Sequence, residues 1–446
     1  MTNSDWQEEY KRKLISAEDA AGMVKSGDKV VFTAGRESFA IGLAIAARIG
    51  ELQGVDVFVP SPGYDFGWYD PGWQDAFNIT ILMPTATCQE AVDARRVDIN
   101  FGTIFPFSSL EDPDTRPPDM LLTEVSPPDK HGYCSFGQSL WNKKRHIKGA
   151  KLVIAEVNPN LIKTHGENFV HVSEIHYFVE HKSTGGAPGI GSLAGRELKE
   201  PEAYLKDIAA NVSRVIKDGD TIQIGVGRTT EPLVRMGMLN GKKDLGYHSE
   251  ATPGGIISLI RDGVINGCRK TLNPGIAVVT SLGGGTKDEL DWANDNPIFH
   301  LVDVEYLEDM RIIAQHDNFV AINNALVIDF TGQIAAEGIG RRILSVAGGQ
   351  LPFVIGAWLS KGGRSVTVLP STAQNGQVSR IMPTLPPGTP VTTQRNLADY
   401  VATEWGIVRI RGKSVRQRAQ ALISIAHPRF REQLTEEAKK LFWPQE

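Results

Sequence analysis

Cysteine is scarce in this sequence. Its 446 residues include three cysteines, which are scattered and odd in number: Cys88, Cys134 and Cys268. This usage argues against a disulfide framework and favours a reducing, cytoplasmic setting. Long apolar runs are missing as well, since no stretch reaches the roughly 18 residues of a membrane span. The charged N-terminus leads into no signal-peptide core. We therefore expect a soluble protein that is not exported.

The sequence has no large excess of charge of either sign. The net charge is −5 and the pI is about 6.1. This balance argues against nucleic acid or an anionic membrane as a bulk electrostatic partner, although it leaves room for a local basic pocket that takes a phosphorylated ligand. Apolar residues make up 41% and charged residues 22%, which is the composition of an ordinary globular protein. The length allows two or three domains.

An internal repeat organises the chain. Residues 25–36 and 217–228 share Lys, Gly, Asp, Gly and Arg in the same order, at a constant offset of 192 residues. Each segment predicts a turn, a buried strand and a Gly-Arg pair, and alternating strands and helices follow both. The sequence thus predicts two tandem, structurally similar open α/β domains. We place them at 1–190 and 191–446, with the joint in the Gly-rich run 182–191.

A glycine-rich turn follows the strand of the second copy. The alternation over 221–226 predicts a buried strand, Gly225 and Gly227 allow a tight turn, and a helix is expected over 228–238. Backbone N–H groups exposed at such a turn suit an anion or a developing oxyanion. A turn without any ligand is the plainer interpretation and stays open.

Glu250 is the candidate covalent nucleophile. It lies in the polar segment 244–255, which ends in Pro-Gly-Gly, and we expect it on a second turn facing the glycine turn. A carboxylate is ionised at neutral pH and needs no base to activate it. The offset of 192 residues places Phe58 at the matching position of the first copy, so the predicted chemistry belongs to the second copy. Glu404 is a rival carboxylate in a strand-to-loop turn.

Other motifs give weaker predictions. The turn at Gly225 is an incomplete dinucleotide fingerprint, because Thr230 occupies the place of the third glycine. Residues 283–287 lack the ending of a phosphate loop and indicate an ordinary loop. Three histidines recur every five residues, a spacing that does not converge on one face, so no metal site is expected: His171, His176 and His181. No nucleophile elbow occurs. The aromatic segment 60–73 predicts a loop packed on itself, with a substrate-lining role as the alternative.

Several motifs resemble those of the acetyl-CoA hydrolase/4-hydroxybutyrate CoA-transferase family. They run in family order over nearly the whole chain. They are 126–137, Leu245-Gly-Tyr-His-Ser-Glu250, Gly348-Gly-Gln350, Leu369-Pro-Ser-Thr372, 391–406 and Ile425-Ala-His-Pro428.

The resemblance implies two CoA-transferase domains, usually in a homodimer, and reversible transfer of CoA between carboxylic acids. It implies that Glu250 forms an acyl anhydride and then a glutamyl-CoA thioester. Acyl-CoA is thus a substrate, and no permanently bound cofactor, ATP or metal is expected. Oxyanion and positioning roles are expected for Gln223, Gly348 and Gly349. Contacts to CoA are expected from Gly225, Val226, Gly227, Arg228, Thr229, Gly348 and Gly349.

Two positions depart from the family pattern. Arg228 stands in a turn that commonly continues towards Ile-Pro, and an arginine there suits a substrate carboxylate or a CoA phosphate. Glu308 stands where relatives usually carry Asn. Both allow for a larger or dicarboxylic acid substrate. An acyl-CoA hydrolase and a non-catalytic acyl-CoA binding protein remain as alternative functions.

Overall fold

The structure is a computed structural model that describes residues 6–101, 116–181 and 202–445. By their contacts, the residues form two compact units: Met1–Glu197 with Thr280–Glu305, and Leu198–Val279 with Tyr306–Glu446. The predicted joint at 182–191 lies outside the described residues, so the boundary at 190 stays a prediction. The sequence predicted two domains that are each contiguous in the chain. In the structure, Thr280–Glu305 belongs to the first unit, so neither unit is contiguous.

Helices occur throughout the described residues. None of these helices is long and apolar enough to cross a membrane. They are α1 (Trp6–Lys13), α2 (Ala17–Gly22), α3 (Phe39–Ala46), α4 (Gln89–Asp93), α5 (Lys143–Gly149), α6 (Tyr204–Ser213), α7 (Thr230–Leu233), α8 (Ile256–Arg261), α9 (Lys287–Ala293), α10 (Val304–Leu307), α11 (Met310–Ile313), α12 (Gln350–Leu359), α13 (Val415–Ser424) and α14 (Pro428–Phe442).

The strands are short, and most of the longer ones are buried over all or nearly all of their length. They are β1 (Lys29–Phe32), β2 (Val55–Val59), β3 (Phe77–Ile81), β4 (Asp98–Ile99), β5 (Met120–Val125), β6 (Tyr133–Ser135), β7 (Leu152–Val157), β8 (His165–Gly166), β9 (Phe169–His171), β10 (Tyr177–Glu180), β11 (Thr221–Ile224), β12 (Gly246–Ala251), β13 (Ala277–Ser281), β14 (Phe299–Leu301), β15 (Phe319–Asn324), β16 (Val327–Asp329), β17 (Ile334–Ala335), β18 (Gly338–Ile339), β19 (Arg342–Ile343), β20 (Arg364–Val368), β21 (Thr372–Ala373), β22 (Val378–Ser379), β23 (Ile381–Met382), β24 (Tyr400–Thr403) and β25 (Gly406–Arg409).

The first unit is built on a parallel sheet with the strand order β10-β7-β5-β1-β2-β3-β4. Strands buried on both faces, such as β5 and β7, read as continuous apolar runs because helices and loops cover both sides of a parallel sheet. The chain runs outward from β1 to β4 and then returns to β5 on the other side of β1. This return creates a topological switch point between β1 and β5.

The second unit repeats the arrangement. Its strands β24-β20-β15-β11-β12 are parallel, and β25 adds an antiparallel edge beside β24. The switch point here lies between β11 and β15, in the place that β1 and β5 occupy in the first unit. The predicted fold class of two similar open α/β domains is therefore confirmed.

The repeated sequence turns have the same hydrogen bonds in both units. Asp28 Oδ2 accepts from the backbone N–H of Lys25 at 2.8 Å, and Asp220 Oδ2 accepts from that of Lys217 at 2.5 Å. The glycine before each aspartate has a positive φ, +77° at Gly27 and +81° at its counterpart. The strands that follow, β1 and β11, begin 192 residues apart, which is the offset read from the sequence.

The aromatic loop packs into the core of the first unit. Phe66, Trp68 and Tyr69 are 6%, 2% and 4% exposed, and the ring of Trp68 lies edge-on to Phe32 with centroids 5.9 Å apart. Within the loop, the rings of Phe66 and Trp68 lie 4.8 Å apart, which is the self-packing that the sequence predicted. Tyr64 is only partly buried, and its hydroxyl accepts from Arg36 at 3.3 Å.

Two local expectations were wrong. The helix expected over 228–238 is only α7, since turns follow it and Gly237 takes a φ of +88°, which ends a right-handed helix. Glu250 lies on strand β12, where a turn was expected. The four residues before it on β12 are buried, Gly246 and Tyr247 pair in parallel with β11, and the chain turns only at Pro253-Gly-Gly255.

Candidate active site

Glu250 lies at the carboxyl end of β12. Side chains alternate along a strand, so Glu250 shares a face with His248 and is opposite to Ser249. Ser249 ties β12 to its neighbour, because its hydroxyl donates to Ile224 O at 3.2 Å. The residues of β12 before Glu250 are buried, whereas Glu250 itself keeps partial exposure. The strand thus holds the carboxylate firmly and leaves it open to a reactant.

The glycine turn follows β11 at the switch point of the second unit. A methyl group at Gly225 would lie 2.5 Å from Asn323 Oδ1, and one at Gly227 would lie 2.5 Å from Asn324 Oδ1. Side chains are therefore excluded at both positions by β15. In open α/β sheets, ligands bind outside the carboxyl ends of the strands at the switch point. Around these glycines, Val226 is partly exposed, Arg228 is exposed and Thr229 is buried.

Gln223 forms a reciprocal amide pair beneath this turn. Its Nε2 donates to Asn323 Oδ1 and its Oε1 accepts from Asn323 Nδ2, both at 3.1 Å. Both side chains are almost fully buried. The pair joins β11 to β15 at the level of Gly225. A direct role of Gln223 in an oxyanion site stays a prediction, and the observed contact is to the support of the turn.

Gly348 and Gly349 lead into the ten-residue helix α12. Gly348 has a φ of +53°, and Gly349 is the N-cap residue. A methyl group at Gly349 would overlap Glu308 Oε1 and lie 2.9 Å from Glu250 Oε2. The N-terminus of α12, with the positive end of its dipole, therefore begins beside the Glu250 carboxylate. The next residue, Gln350, is buried, and its Nε2 has no hydrogen-bond partner among the described residues.

Glu308 is the second carboxyl group at this site. It is 0% exposed. Burial, the charge of Glu250 and a hydrogen bond to Glu250 together raise the pKa of Glu308 well above its usual range. The pKa of Glu250 is also raised, because the effect of burial exceeds that of the hydrogen bond from Glu308, which lowers it. Because the pKa of Glu308 is raised further, the first proton that the pair takes up resides on Glu308.

A buried pair of imidazoles lies behind the carboxyl pair. His248 Nε2 lies 2.8 Å from Leu307 O, so it carries a proton and donates it. Its ring is 4.9 Å from that of His316, whose nitrogens have no hydrogen-bond partner among the described residues. Burial lowers the pKa of His248 far below its usual value and that of His316 to about 3, so both are neutral. Lys270 is buried nearby and donates to Tyr247 O at 3.0 Å.

The rival carboxylate Glu404 is engaged elsewhere. Its Oε2 accepts from the backbone N–H of Ser371 at 2.9 Å, and its Oε1 accepts from the hydroxyl of the same residue. These bonds fix the segment after β20 to that after β24. These contacts favour a structural role for Glu404, and the choice of Glu250 as nucleophile stays a prediction.

Two family models match the chain. The model described as acetyl-CoA hydrolase/transferase N-terminal domain matches residues 97–185, and the model of the C-terminal domain matches residues 285–438. The 4-hydroxybutyrate coenzyme A transferase of Clostridium kluyveri is 40% identical over 98% of this chain and 100% of its own length. The chain belongs to the acetyl-CoA hydrolase/transferase family.

Other members of the family resemble the chain over similar lengths. The succinyl-CoA:cyclohexane-1-carboxylate CoA transferase of Geobacter metallireducens is 34% identical over 98% of this chain and 97% of its own. The crystal structure of RipA from Yersinia pestis superimposes with a TM-score of 0.89, at 31% identity, over 98% of this chain and 99% of that one. The predicted family and the CoA-transferase class of enzyme are confirmed.

Membership of the acetyl-CoA hydrolase/transferase family does not by itself identify the acting residues. The structure brings together Glu250 and Gly349, which the sequence had singled out for chemistry. It also places Asn323, His248 and Gln350 at or behind the site, and these had been given no role. His248 and Gln350 lie within motifs that carried the family resemblance, whereas Asn323 lies in no segment that the sequence had singled out. Glu308 had been noticed as a departure from the family pattern, without an assigned function.

Proposed function

We propose that this protein transfers CoA reversibly between an acyl-CoA donor and a carboxylic acid acceptor through a covalent intermediate on Glu250. The observation that carries the proposal is the setting of the Glu250 carboxylate. It is the partly exposed member of a carboxyl pair in which Glu308 has the more strongly raised pKa, and it lies beside the N-terminus of α12. Such a carboxylate is a ready nucleophile towards a thioester carbonyl.

The proposed reaction consists of two exchanges at Glu250. One carboxylate oxygen attacks the thioester carbonyl carbon, the C–S bond breaks, and CoA leaves as the thiolate, which gives an acyl-glutamyl anhydride. The thiolate then attacks the glutamyl carbonyl carbon and expels the donor acid as its carboxylate. The glutamyl-CoA thioester remains, and the acceptor acid reverses both steps. Because each broken acyl bond is replaced by another activated one, thioester by anhydride and anhydride by thioester, the reaction balances without ATP, metal or redox chemistry.

Each tetrahedral intermediate of this sequence carries an oxyanion that needs nearby donors. The backbone N–H of Gly349, the N-cap residue of α12, is the candidate donor beside Glu250, whereas the N–H of Gln350 donates to Ala347 O at 3.3 Å. Preorganised donors of this kind are each worth about 10²- to 10³-fold in rate. Gly348 permits the left-handed turn that brings the N–H of Gly349 to the carboxylate.

The turn from Gly225 to Thr229 is proposed to contact CoA. It lies at the switch point of the second unit, its glycines expose the backbone, and Arg228 is an exposed cation that suits a phosphate or a second substrate carboxylate. Gln223 acts here through the pair with Asn323 that holds the turn. Binding energy from the CoA moiety, remote from the reacting carbonyl, can then be used to position it.

Initial-rate and exchange kinetics test this proposal. With acetyl-CoA or butyryl-CoA and a varied acid, the enzyme is expected to give parallel double-reciprocal lines and to exchange isotopically labelled acetate into acetyl-CoA without a second acid. Glu250→Gln should abolish the exchange, and Glu404→Gln should retain it. Release of free CoA without any acid would instead identify an acyl-CoA hydrolase. Tight binding without either reaction would identify an acyl-CoA binding protein.

The homodimer implied by the family resemblance belongs to the same proposal. Sedimentation equilibrium of the purified protein is expected to give a mass near twice 48.7 kDa. A single species at that monomer mass would contradict it.

A further inference from the structure

We propose that Glu308 is a second catalytic group, a protonated carboxyl that donates a hydrogen bond to Glu250 while the acyl intermediates form and break down. The inference rests on the proposed function of Glu250. It assigns a chemical role to a residue that stands outside the recognised motifs of the chain.

The geometry of the pair requires a proton. Glu308 is completely buried, and neither of its carboxyl oxygens has a donor among the described residues when both glutamates are ionised. The space above Gly349 is shared by Glu308 Oε1 and Glu250 Oε2. An uncompensated buried charge costs several kcal/mol, so two adjacent carboxylates cannot both stay ionised. One proton held by Glu308 gives the pair a charge-assisted hydrogen bond.

The backbone holds Glu308 at this place. The residue follows α10, and the carbonyl of the preceding Leu307 accepts from His248 at 2.8 Å. His248 lies two residues before Glu250 on the same face of β12. One strand therefore carries the nucleophile and also fixes the segment that supplies its partner. Such support is expected for a positioned catalytic group.

The surrounding charges favour the neutral form of Glu308. His248 and His316 are neutral at physiological pH, because burial lowers both pKa values. Burial likewise lowers the pKa of Lys270 to about 7, and its ammonium bonds to two backbone carbonyls. Asp309 follows Glu308 and is paired with Arg311 at the surface. Burial and the charge of Glu250 therefore have the largest effects on the pKa of Glu308, and both raise it.

The proton stays on Glu308 through the reaction. When one oxygen of Glu250 attacks the donor carbonyl, the Glu308 hydroxyl bonds to the other oxygen. When the thiolate attacks the glutamyl carbonyl, negative charge develops on that second oxygen and strengthens the bond. An amide could donate in the same way, but an ionised Glu308 would repel both the thiolate and the acceptor acid. A neutral carboxylic acid kept in an apolar site is an established oxyanion donor.

Glu308→Leu and Glu308→Gln test the role, with Glu404→Gln as the control. Single-turnover formation of the Glu250 thioester from acetyl-CoA is followed by quenched-flow mass spectrometry over a range of pH. The leucine variant is expected to lose about 10²-fold or more in rate, with the KM for acyl-CoA within about 3-fold. Its acid limb should move to higher pH, because Glu250 loses the donor that lowers its pKa.

The glutamine variant distinguishes a donor from a spacer. It keeps an N–H donor, so its rate at neutral pH should stay within about 10-fold of the wild type. The wild type should lose activity at alkaline pH as Glu308 ionises, and the glutamine variant should not. This comparison of wild type with the glutamine variant tests the donor role of Glu308 even if the leucine variant fails to fold.

Two outcomes would overturn the inference. They are an unchanged rate and pH profile in a folded leucine variant, or an alkaline limb that persists in the glutamine variant. Failure of the proposed function would look different, because the wild type itself would then form no thioester.

Discussion

His248 Nε2 lies 2.8 Å from the carbonyl oxygen of Leu307, and this bond ties the strand of the nucleophile to the segment of its partner carboxyl. The neighbouring ring of His316 is equally buried but has no hydrogen bond among the described residues. Two imidazoles 4.9 Å apart thus differ in function, one as a tether and the other as packing.

Replacing each histidine with phenylalanine tests this difference. His248→Phe leaves Leu307 O without a partner and should cost about 1–3 kcal/mol of unfolding free energy. It should also lower kcat with little change in KM, because Glu308 is no longer held against Glu250. His316→Phe removes unpaired nitrogens and should leave activity and stability nearly unchanged. Urea denaturation and steady-state kinetics of both variants make the comparison. Equal kcat values for the two variants would contradict the proposal that the hydrogen bond of His248 holds Glu308 in place.

Gly349 is required because two carboxyl groups occupy the space of any side chain. In Gly349→Ala, the new methyl group would overlap Glu308 Oε1 and lie 2.9 Å from Glu250 Oε2. We expect kcat/KM to fall by about 10²-fold or more, as for the loss of an oxyanion donor. Gly22→Ala is the matched control, since a methyl group there meets nothing within 4 Å. Wild-type activity of Gly349→Ala would contradict the site geometry.

The repeated turns predict unequal effects of the same mutation. Asp220 is 1% exposed and forms an ion pair with the buried Arg364, whereas Asp28 is partly exposed and caps only its own turn. Asp220→Ala leaves a buried guanidinium unpaired and should cost about 3–5 kcal/mol. Asp28→Ala should cost about 1 kcal/mol, the typical net value of a single hydrogen bond. Chemical denaturation measures both, and equal losses would contradict the assigned ion pair.

Glu156 is predicted to make the stability of the first unit depend on pH. Its carboxyl accepts from the N–H groups of Phe39, Ala40 and Ile41 at the start of α3, yet burial raises its pKa to about 7. The folded state therefore holds this proton more tightly than the unfolded chain. The resulting stabilisation is complete below the unfolded pKa of about 4.3 and is lost as the pH rises through about 7.

Unfolding free energies of wild type and Glu156→Gln measure this effect. The advantage of wild type over the variant should shrink by roughly 2–4 kcal/mol between pH 4 and pH 8. Glu51→Gln at the exposed surface serves as the control and should show no such trend. A difference between wild type and Glu156→Gln that does not change with pH would contradict the raised pKa.

The fold followed largely from local sequence patterns. The repeat at 25–36 and 217–228 located the turn and the strand that begin each sheet, with β1 in the first unit and β11 in the second. These features depend on neighbours along the chain, which a sequence displays. The extent of α7 and the strand position of Glu250 did not follow, because the end of a helix and the pairing of β12 with β11 depend on tertiary contacts.

The site was only partly readable for the same reason. Glu250 and the glycines stood in distinctive polar or glycine-rich segments. Glu308 stands in Tyr-Leu-Glu-Asp-Met-Arg, whose composition is that of an exposed helix end. In the folded chain it is buried and lies beside Glu250, which is 58 positions earlier in the sequence. The amide pair of Gln223 with Asn323 likewise joins residues that are distant in sequence and adjacent only across the sheet.

The most direct test of the account is mass spectrometry of the Glu250 peptide after incubation with acyl-CoA in the absence of an acceptor acid. The account predicts an adduct of CoA mass on Glu250 that hydroxylamine removes. The adduct should be absent in Glu250→Gln and present in Glu404→Gln. A CoA adduct on another residue, or complete turnover by Glu250→Gln, would contradict the central role of Glu250.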